Sequence, residues 1–545
     1  MISEFGELSI ERQIGQLFMV GFTGTEPTPE IVEMIQRWHI GGVILFSRNC
    51  RDARQVSRLT HDLQRIARDA GHPAPLLIAT DQENGLVRRL GASMTNFPGA
   101  MALGATRDAA LTQAVAEATG QELRALGVNM NLAPDADVNS NPANPVIGVR
   151  SFGEDPQLVA RLVAAAVIGQ RAAGVASVLK HFPGHGDTAV DSHLGLPTVP
   201  YALKRLERVE LAPFRAGVAA GAESVMLAHL RLPELAPDDI AASLSPVIVR
   251  LLRDALGFSG VIMTDCLEMD AIAKTVGVER GSEMALRAGV DIVLISHHIE
   301  PQRAAIALAR AAVASGGLSA DAIRGSAARV LDLKTRLGSW DALPTPVASA
   351  SVSSDAHQRL SAEAYARSTT LVRDDAALLP IGLTSGAQIL VIAQPPASVT
   401  KAVDTVYDHE DLVAAIRARQ PHARDICLSA DASAEEVATT VRKAQECELV
   451  IVATINAHLD PTQRDLMRRL IATGQPLIGI AVCNPYDLGL FPELRTALAT
   501  YDYIQPALRA AADALFGAFT PEGRLPVSLP GDLPGSDAAF GPERR

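Results

Sequence analysis

The feature that most constrains the fold is a unit that recurs through the first 340 residues: an amphipathic helical pattern, then a short apolar run that ends in polar residues. Runs that are apolar on both faces and separated by helices are typical of a parallel sheet covered by helices. Eight such runs predict a closed (β/α)8 barrel of the TIM type. They lie near residues 17–22, 43–46, 76–80, 128–132, 175–179, 223–228, 261–264 and 290–295.

Beyond the predicted barrel the composition changes. Residues 344–355 read PTPVASASVSSD, and this Pro-, Ser- and Ala-rich stretch is typical of a linker. Further apolar runs near 389–393, 449–453, 477–482 and 496–500 alternate with helical patterns. We therefore predict an α/β chain with a catalytic barrel over 1–343, a linker over 344–365, and a smaller α/β sandwich domain with an open, mostly parallel sheet over 366–545.

Charge and composition exclude several kinds of partner. A formal net charge of −12 disfavours nucleic acid and anionic membranes, because both repel an acidic surface. No apolar stretch approaches the roughly 20 residues of a membrane helix, and the N-terminal residues lack the basic region of a signal peptide. The five cysteines are widely spaced, which favours reduced thiols. We expect a cytoplasmic protein; the sequence does not indicate its oligomeric state.

Ionisable side chains follow at least five of the eight runs. In (β/α)8 enzymes the catalytic groups lie at the C-terminal ends of the strands, where the βα loops converge. We therefore expect one shared mouth for Asp81, Asp135, Asp137, Lys180, His181, His229, Asp265, His297 and His298. Neither domain carries a Gly-rich phosphate-binding motif, so we expect no nucleotide cofactor.

The densest polar segment reads KHFPGHGDT over 180–188 and is followed at once by DSH over 191–193. It has few apolar neighbours, so we expect a polar loop that buries little and serves chemistry rather than packing. Zinc binding is the alternative, because His and Asp are zinc ligands. It is disfavoured because His181 and His185 span a Pro and a Gly and cannot share a helix face. We expect no metal.

Asp265 stands out because it ends an apolar strand, where an unpaired carboxylate is costly to desolvate. Lys180, His181 and Arg150 are the partners that we expect for it. Glu268 and Asp270 follow in the next loop, where acidic residues favour a helix N-terminus.

Five strings, in order along the chain, resemble glycoside hydrolase family 3, and specifically its β-N-acetylglucosaminidase branch. They are DQENG from Asp81, GVRSFGEDP from Gly148, KHFPGHGDT from Lys180, DSH from Asp191 and MTD from Met263. GRLPVSLP from Gly523 is similar to the end of the family's second α/β domain. The chain departs from the family at Asn84 and Leu86, where the family has Gly and Arg, and this predicts an altered outer subsite.

The resemblance implies a retaining mechanism through a covalent glycosyl-enzyme, with Asp265 as the nucleophile. It implies that His193 is the acid and base and that Asp191 is its partner, an arrangement that suits a histidine proton donor. It also implies residues that hold the sugar: Asp81, Arg89, Arg150, Lys180 and His181. His229 fits either direct substrate contact or a supporting hydrogen bond, and we count it with the substrate-binding residues.

These features predict an exo-acting β-N-acetylglucosaminidase that hydrolyses terminal β-linked GlcNAc from small oligosaccharides, either muropeptide or chitin fragments. The close alternative is a phosphorylase that uses inorganic phosphate, because a histidine acid/base leaves room for an anionic acceptor. Two alternatives come from other classes: a metal-dependent hydrolase, which chelation would inactivate, and a sugar-binding module without turnover. A β-glucosidase is disfavoured by the DSH string.

Overall fold

The computed structural model describes residues 8–192, 195–236, 240–343, 352–384, 386–395, 400, 402–403 and 405–529. Among the helices of these residues, none combines the length and the apolar character that a bilayer crossing needs.

Eight parallel strands form the first sheet, and every residue of these strands is buried. Each of the eight predicted runs overlaps one of them, so the barrel prediction is confirmed. A separate hairpin, β4 and β5, follows the third strand. The strands are β1 (Phe18–Val20), β2 (Gly42–Leu45), β3 (Leu77–Thr80), β4 (Gln82–Asn84), β5 (Val87–Arg88), β6 (Met130–Asn131), β7 (Ala176–Phe182), β8 (Ser224–Leu227), β9 (Val261–Thr264) and β10 (Val293–Ile295).

The barrel closes between β9 and β10. Met263 and Ile292 form a single parallel bridge at this seam. Side chains add to it, because Ile262 N donates to the Asp291 carboxylate at 2.9 Å. Asp291 is itself fully buried and paired with Arg253 and Arg329. The seam therefore lies directly before Asp265.

Amphipathic helices cover the barrel. Several begin with a side-chain cap that satisfies backbone N–H groups of the first turn, as Asp52, Asp108 and Asp155 do. Their apolar faces join the strands in one large core. The helices are α1 (Ile10–Gln16), α2 (Pro29–Gln36), α3 (Ala53–Asp69), α4 (Ala100–Thr106), α5 (Ala109–Ala125), α6 (Pro156–Ala172), α7 (Leu203–Arg208), α8 (Leu211–Ala219), α9 (Pro246–Arg250), α10 (Asp270–Ala273), α11 (Val278–Ala288), α12 (Ile299–Ala314) and α13 (Ala320–Leu337).

The second domain is built on an open sheet of six strands in the order β11-β16-β15-β14-β12-β13. Only β11, at one edge, is antiparallel to its neighbour, so the predicted mostly parallel sheet is confirmed. Its strands are β11 (Thr370–Asp374), β12 (Ile389–Ala393), β13 (Arg424–Cys427), β14 (Leu449–Thr454), β15 (Leu477–Ala481) and β16 (Thr496–Ala499). Its helices are α14 (Asp355–Ser368), α15 (His409–Arg417), α16 (Ala434–Ala444), α17 (Pro461–Ala472) and α18 (Gln505–Leu515).

Helix α14 overlaps the predicted linker, 344–365. It contacts both domains: His357 Nδ1 lies 2.7 Å from Glu122 Oε1 in the barrel, and Tyr365 donates to Asp502 Oδ2 at 2.9 Å in the second domain. Residues 344–351 lie outside the described residues. The domain boundaries stay a prediction.

The two domains meet at the mouth of the barrel. Asn139 Nδ2 donates to the Tyr486 hydroxyl at 2.7 Å across the interface. Gly148 has a φ of +47°, and a Cβ placed on it would lie 2.6 Å from Asn484 Oδ1. Only glycine fits this close approach without strain.

Candidate active site

A cavity of about 440 Å³ opens where the barrel strands end. This volume lies within the usual range of small-molecule sites. The structure brings six of the predicted site residues into its wall: Asp81, Arg89, Arg150, Lys180, His181 and Asp265. The other lining residues include Phe46, Arg48, Glu83, His185, Ser192 and His297.

The floor of the cavity is a buried network of alternating charges. Lys180, only 2% exposed, donates to Asp81 Oδ1 at 2.8 Å, and its Nζ lies 2.6 Å from Glu83 Oε1. Arg150 donates to both oxygens of Glu83, at 2.9 and 2.8 Å. Arg89 Nε lies 3.7 Å from Asp81 Oδ2 at the edge of the network. The floor therefore presents fixed hydrogen-bond donors and acceptors, and its positive and negative charges nearly balance.

Each central group of the network is held in its ionised form. Burial alone would raise the pKa of Glu83, but the charges of Arg150 and Lys180 outweigh it and hold that pKa below its ordinary value. Burial would lower the pKa of Lys180, but the carboxylates of Asp81 and Glu83 raise it. Burial would also lower the pKa of Arg150, and Glu83 raises it instead.

His181 continues the network to Asp137. Its Nδ1 lies 2.7 Å from Asp137 Oδ2, and its Nε2 lies 3.4 Å from Arg150 Nη2. Because Arg150 can only donate, Nε2 accepts and Nδ1 carries the proton. Asp137 thereby sets the tautomer of His181.

The KHFPGHGDT loop is buried, so the expectation of a loop that buries little is wrong. His185 is 2% exposed, and its ring nitrogens lie 2.8 Å from Thr188 Oγ1 and 3.0 Å from Ser192 Oγ. A Cβ on Gly186 would lie 1.8 Å from Val138 O, which shows how closely the loop packs on the barrel. The loop has few apolar neighbours, and its buried polar side chains instead form hydrogen bonds with one another.

Asp265 follows β9 and faces the cavity, half-buried. Cys266 N donates to its Oδ1 at 2.7 Å. The expected partners of Asp265 have other principal contacts, because Lys180 binds Asp81 and Glu83, Arg150 binds Glu83, and His181 binds Asp137. These groups share one mouth, and the pairing of Asp265 with any of them stays a prediction.

His229 is a correction to the predicted substrate-binding set. It is buried and does not line the cavity. Its Nδ1 lies 2.7 Å from Ser243 Oγ and its Nε2 lies 2.9 Å from Cys266 O. This geometry supports the other alternative, a hydrogen bond that holds the backbone directly after Asp265.

Asp191 is 5% exposed and accepts a hydrogen bond from Thr400 of the second domain. Its neighbour Ser192 lines the cavity. His193, the predicted acid and base, lies outside the described residues, so its role stays a prediction. The second domain also reaches the cavity itself, because Ala402 is part of its wall.

Asp135, Asp137 and His181 have ligand atoms within 4.8 Å of one another, a spacing at which a metal could bind. However, Asp137 Oδ2 faces the protonated Nδ1 of His181, and Asp137 Oδ1 accepts from His185 N at 2.6 Å. Both Asp137 oxygens therefore already have protein partners, and the expectation of no metal stays a prediction.

Glu83 is the main cavity residue that sequence reasoning did not single out. It belongs to the DQENG string directly after β3, and this position was the available signal. Neither Asn84 nor Leu86, where the chain departs from the family, lines the cavity, and the altered outer subsite stays a prediction. Asn84 Nδ2 donates to Thr119 Oγ1 at 3.0 Å, and Leu86 packs into the core of the second domain.

Comparison with known proteins gives consistent matches over most of the chain. Residues 9–333 match the model of the "Glycosyl hydrolase family 3 N terminal domain", and residues 369–540 match that of the C-terminal domain. Beta-hexosaminidase A of Pseudoalteromonas piscicida is 33% identical over 92% of this chain and 91% of its own length.

Two solved structures are similar at high identity. A glycoside hydrolase family 3 beta-N-acetylglucosaminidase from Paenibacillus sp. str. FPU-7 has a TM-score of 0.90 and 40% identity, over 96% of this chain and 99% of its own. A fungal multi-domain beta-N-acetylglucosaminidase has a TM-score of 0.91 and 43% identity. The present chain spans 61% of that longer protein.

Proposed function

The chain belongs to glycosyl hydrolase family 3, and from this premise we propose that it is an exo-acting, retaining β-N-acetylglucosaminidase. It removes terminal β-linked GlcNAc from muropeptide or chitin fragments. The observation that carries the proposal is Asp265 at the end of a barrel strand, facing a cavity whose floor is the Asp81–Lys180–Glu83–Arg150 network.

The floor suits a neutral sugar. Its carboxylates and cations are paired with one another, so the floor carries little net charge to attract ions. Donors and acceptors that the pairs leave over can form hydrogen bonds with the hydroxyl groups of a sugar. We assign the binding of the terminal sugar to Asp81, Arg89, Arg150, Lys180 and His181. A cavity of about 440 Å³ supports binding of a terminal unit rather than a long internal stretch of chain.

The reaction proceeds in two displacements. In the first, an Asp265 oxygen bonds to the anomeric carbon while His193 gives a proton to the departing glycosidic oxygen. In the second, water attacks the same carbon, His193 takes its proton, and the ester to Asp265 breaks. Asp191 stabilises the imidazolium form of His193, which is present before the first displacement and is regenerated by the second.

Hydrolysis is favoured over phosphorolysis. The Pseudoalteromonas piscicida relative is named beta-hexosaminidase A, and the Paenibacillus structure is named a glycoside hydrolase. The products distinguish the two reactions: with inorganic phosphate present, a hydrolase still releases free GlcNAc, whereas a phosphorylase releases the sugar 1-phosphate.

We place this activity in the cytoplasm, in the recycling of imported cell-wall or chitin pieces. All five cysteines fall within the described residues, and none of them forms a disulfide. Free thiols are typical of a reducing compartment.

A trapping experiment tests the proposal. A fluorinated GlcNAc analogue with an activated leaving group should leave the sugar bound to the Asp265 peptide, visible by mass spectrometry. Asp265→Ala should trap nothing and lose at least about a thousandfold in kcat. Asp254→Ala, at an exposed position outside the cavity, should behave as the wild type. Turnover that survives in Asp265→Ala would exclude the covalent mechanism.

A further inference from the structure

We propose that Thr400 of the second domain is a positioning residue for the reaction, holding Asp191 by a hydrogen bond across the domain interface. The inference rests on the proposed function, in which Asp191 supports the acid and base.

The contact itself is direct. Thr400 Oγ1 donates to Asp191 Oδ2 at 2.9 Å, and Asp191 is 5% exposed. Ala402 N donates to the same Thr400 Oγ1 at 3.3 Å, so the hydroxyl already accepts from its own loop. Its single proton is therefore free to be directed at the carboxylate.

The segment that carries Thr400 is anchored to the barrel by two further contacts. Ala402 is buried against Val146 and Ile147 and lines the substrate cavity beside them. Three residues further on, Thr405 Oγ1 donates to Leu86 O at 3.0 Å. These contacts place Thr400 within the interface between the two domains.

The hydrogen bond should act on the charge and the orientation of Asp191. A hydroxyl donor stabilises the ionised form of a carboxylate, and a fixed carboxylate is a better partner for an imidazolium. The proton donor of the reaction therefore depends on a group that the barrel alone does not supply. The effect should appear only in steps that need proton transfer.

Leaving-group dependence provides the test. Dinitrophenyl β-N-acetylglucosaminide releases a dinitrophenolate that departs without protonation. The sugar oxygen that leaves in chitobiose cleavage needs a proton from an acid. For Thr400→Val, which removes the hydroxyl but keeps the shape, we expect kcat/KM on chitobiose to fall about tenfold, the loss typical of one hydrogen bond to a charged group. On the dinitrophenyl glycoside the fall should be under about twofold, and the pH profile on chitobiose should shift.

Two variants complete the design. Thr400→Ser keeps the hydroxyl and should restore activity on chitobiose. Thr454→Val makes the same substitution at a buried threonine of the second domain whose hydroxyl has no partner among the described residues, and it should match the wild type on both substrates.

The outcomes separate the two proposals. A wild-type protein that turns over neither glycoside would overturn the proposed function and this inference with it. Wild-type turnover combined with an equal loss on both substrates in Thr400→Val, or with no loss at all, would overturn the role of Thr400 alone.

Discussion

Arg150 and Glu83 are joined by two hydrogen bonds, from Nε to Oε2 at 2.9 Å and from Nη2 to Oε1 at 2.8 Å. The pair stands between two spaces: both residues line the substrate cavity, and both line a smaller internal chamber of about 40 Å³ that also contains Asp135. This ion pair in the floor therefore separates the two spaces. Substitutions of Glu83 in this pair and of Asp135 in the smaller cavity should therefore have different effects on stability and activity.

Glu83→Gln should damage both folding and turnover. The amide keeps the shape but leaves Arg150 and Lys180 buried without their shared countercharge, and breaking a buried ion pair costs about 3–5 kcal/mol. Denaturant unfolding should show this loss, together with a lower kcat/KM. Asp332→Asn removes an exposed partner of Arg336 and should change neither quantity measurably. Equal stability of the two variants would contradict the structural importance of the pair.

Asp135→Asn should stabilise the protein increasingly as the pH rises. Burial, reinforced by the charge of Asp137, raises the pKa of Asp135 well above its ordinary value. In the unfolded chain Asp135 ionises at about pH 4. The stability contributed by this raised pKa is present below that pH and is lost as the pH rises toward the folded-state pKa. Asparagine cannot ionise, so the difference in Tm between variant and wild type should grow above about pH 4.

The same titration has a simple control. Asp332→Asn changes an exposed carboxylate, so its Tm should follow the wild type at every pH. A constant difference in Tm for Asp135→Asn across the pH range would show that Asp135 titrates normally in the folded protein.

Asn84 should tolerate glycine better than alanine. Its φ is +69°, a left-handed conformation that costs a side-chain-bearing residue about 1 kcal/mol. Asn84→Ala keeps that strain and loses the hydrogen bond to Thr119, so unfolding should cost about 1 kcal/mol less than in the wild type. Asn84→Gly loses the same hydrogen bond but relieves the backbone strain, so its stability should stay close to that of the wild type. Chemical denaturation compares the two, and the reverse order would contradict the backbone argument.

His229→Ala should lower kcat more than it raises KM. The ring contacts Ser243 and Cys266 O and does not line the cavity, so its loss should loosen the backbone after Asp265 without removing a sugar contact. Steady-state kinetics on an aryl β-N-acetylglucosaminide provide the measurement. A raised KM at unchanged kcat would restore the original assignment of His229 to substrate binding.

The barrel and the composition of its mouth could be predicted because both are local patterns. Apolar runs separated by helices specify parallel strands, and the residue after each run is brought to the mouth by the geometry of the fold. Asp265 and Lys180 were found in this way. The pairing inside the mouth could not be predicted, since Glu83 and Arg150 are 67 residues apart and their contact depends on how the loops pack.

The contribution of the second domain was also beyond sequence reasoning. Thr400 and Asp191 are 209 residues apart, and neither spacing nor composition connects them. The burial of the KHFPGHGDT loop was mispredicted because its polar side chains satisfy one another. His185, Thr188 and Ser192 form hydrogen bonds that the residue types alone do not reveal.

The way in which the barrel is sealed also bears on how the enzyme tolerates mutation. Backbone hydrogen bonds around the Met263–Ile292 bridge join its last two strands, and the Asp291 carboxylate adds to them while it is held by Arg253 and Arg329. Neither arginine lines the cavity, yet both hold the carboxylate that is bonded to the strand before Asp265. We therefore expect that a lineage which lost either one would keep every residue of the cavity wall and still pay a fitness cost larger than the distance of the change from the cavity suggests.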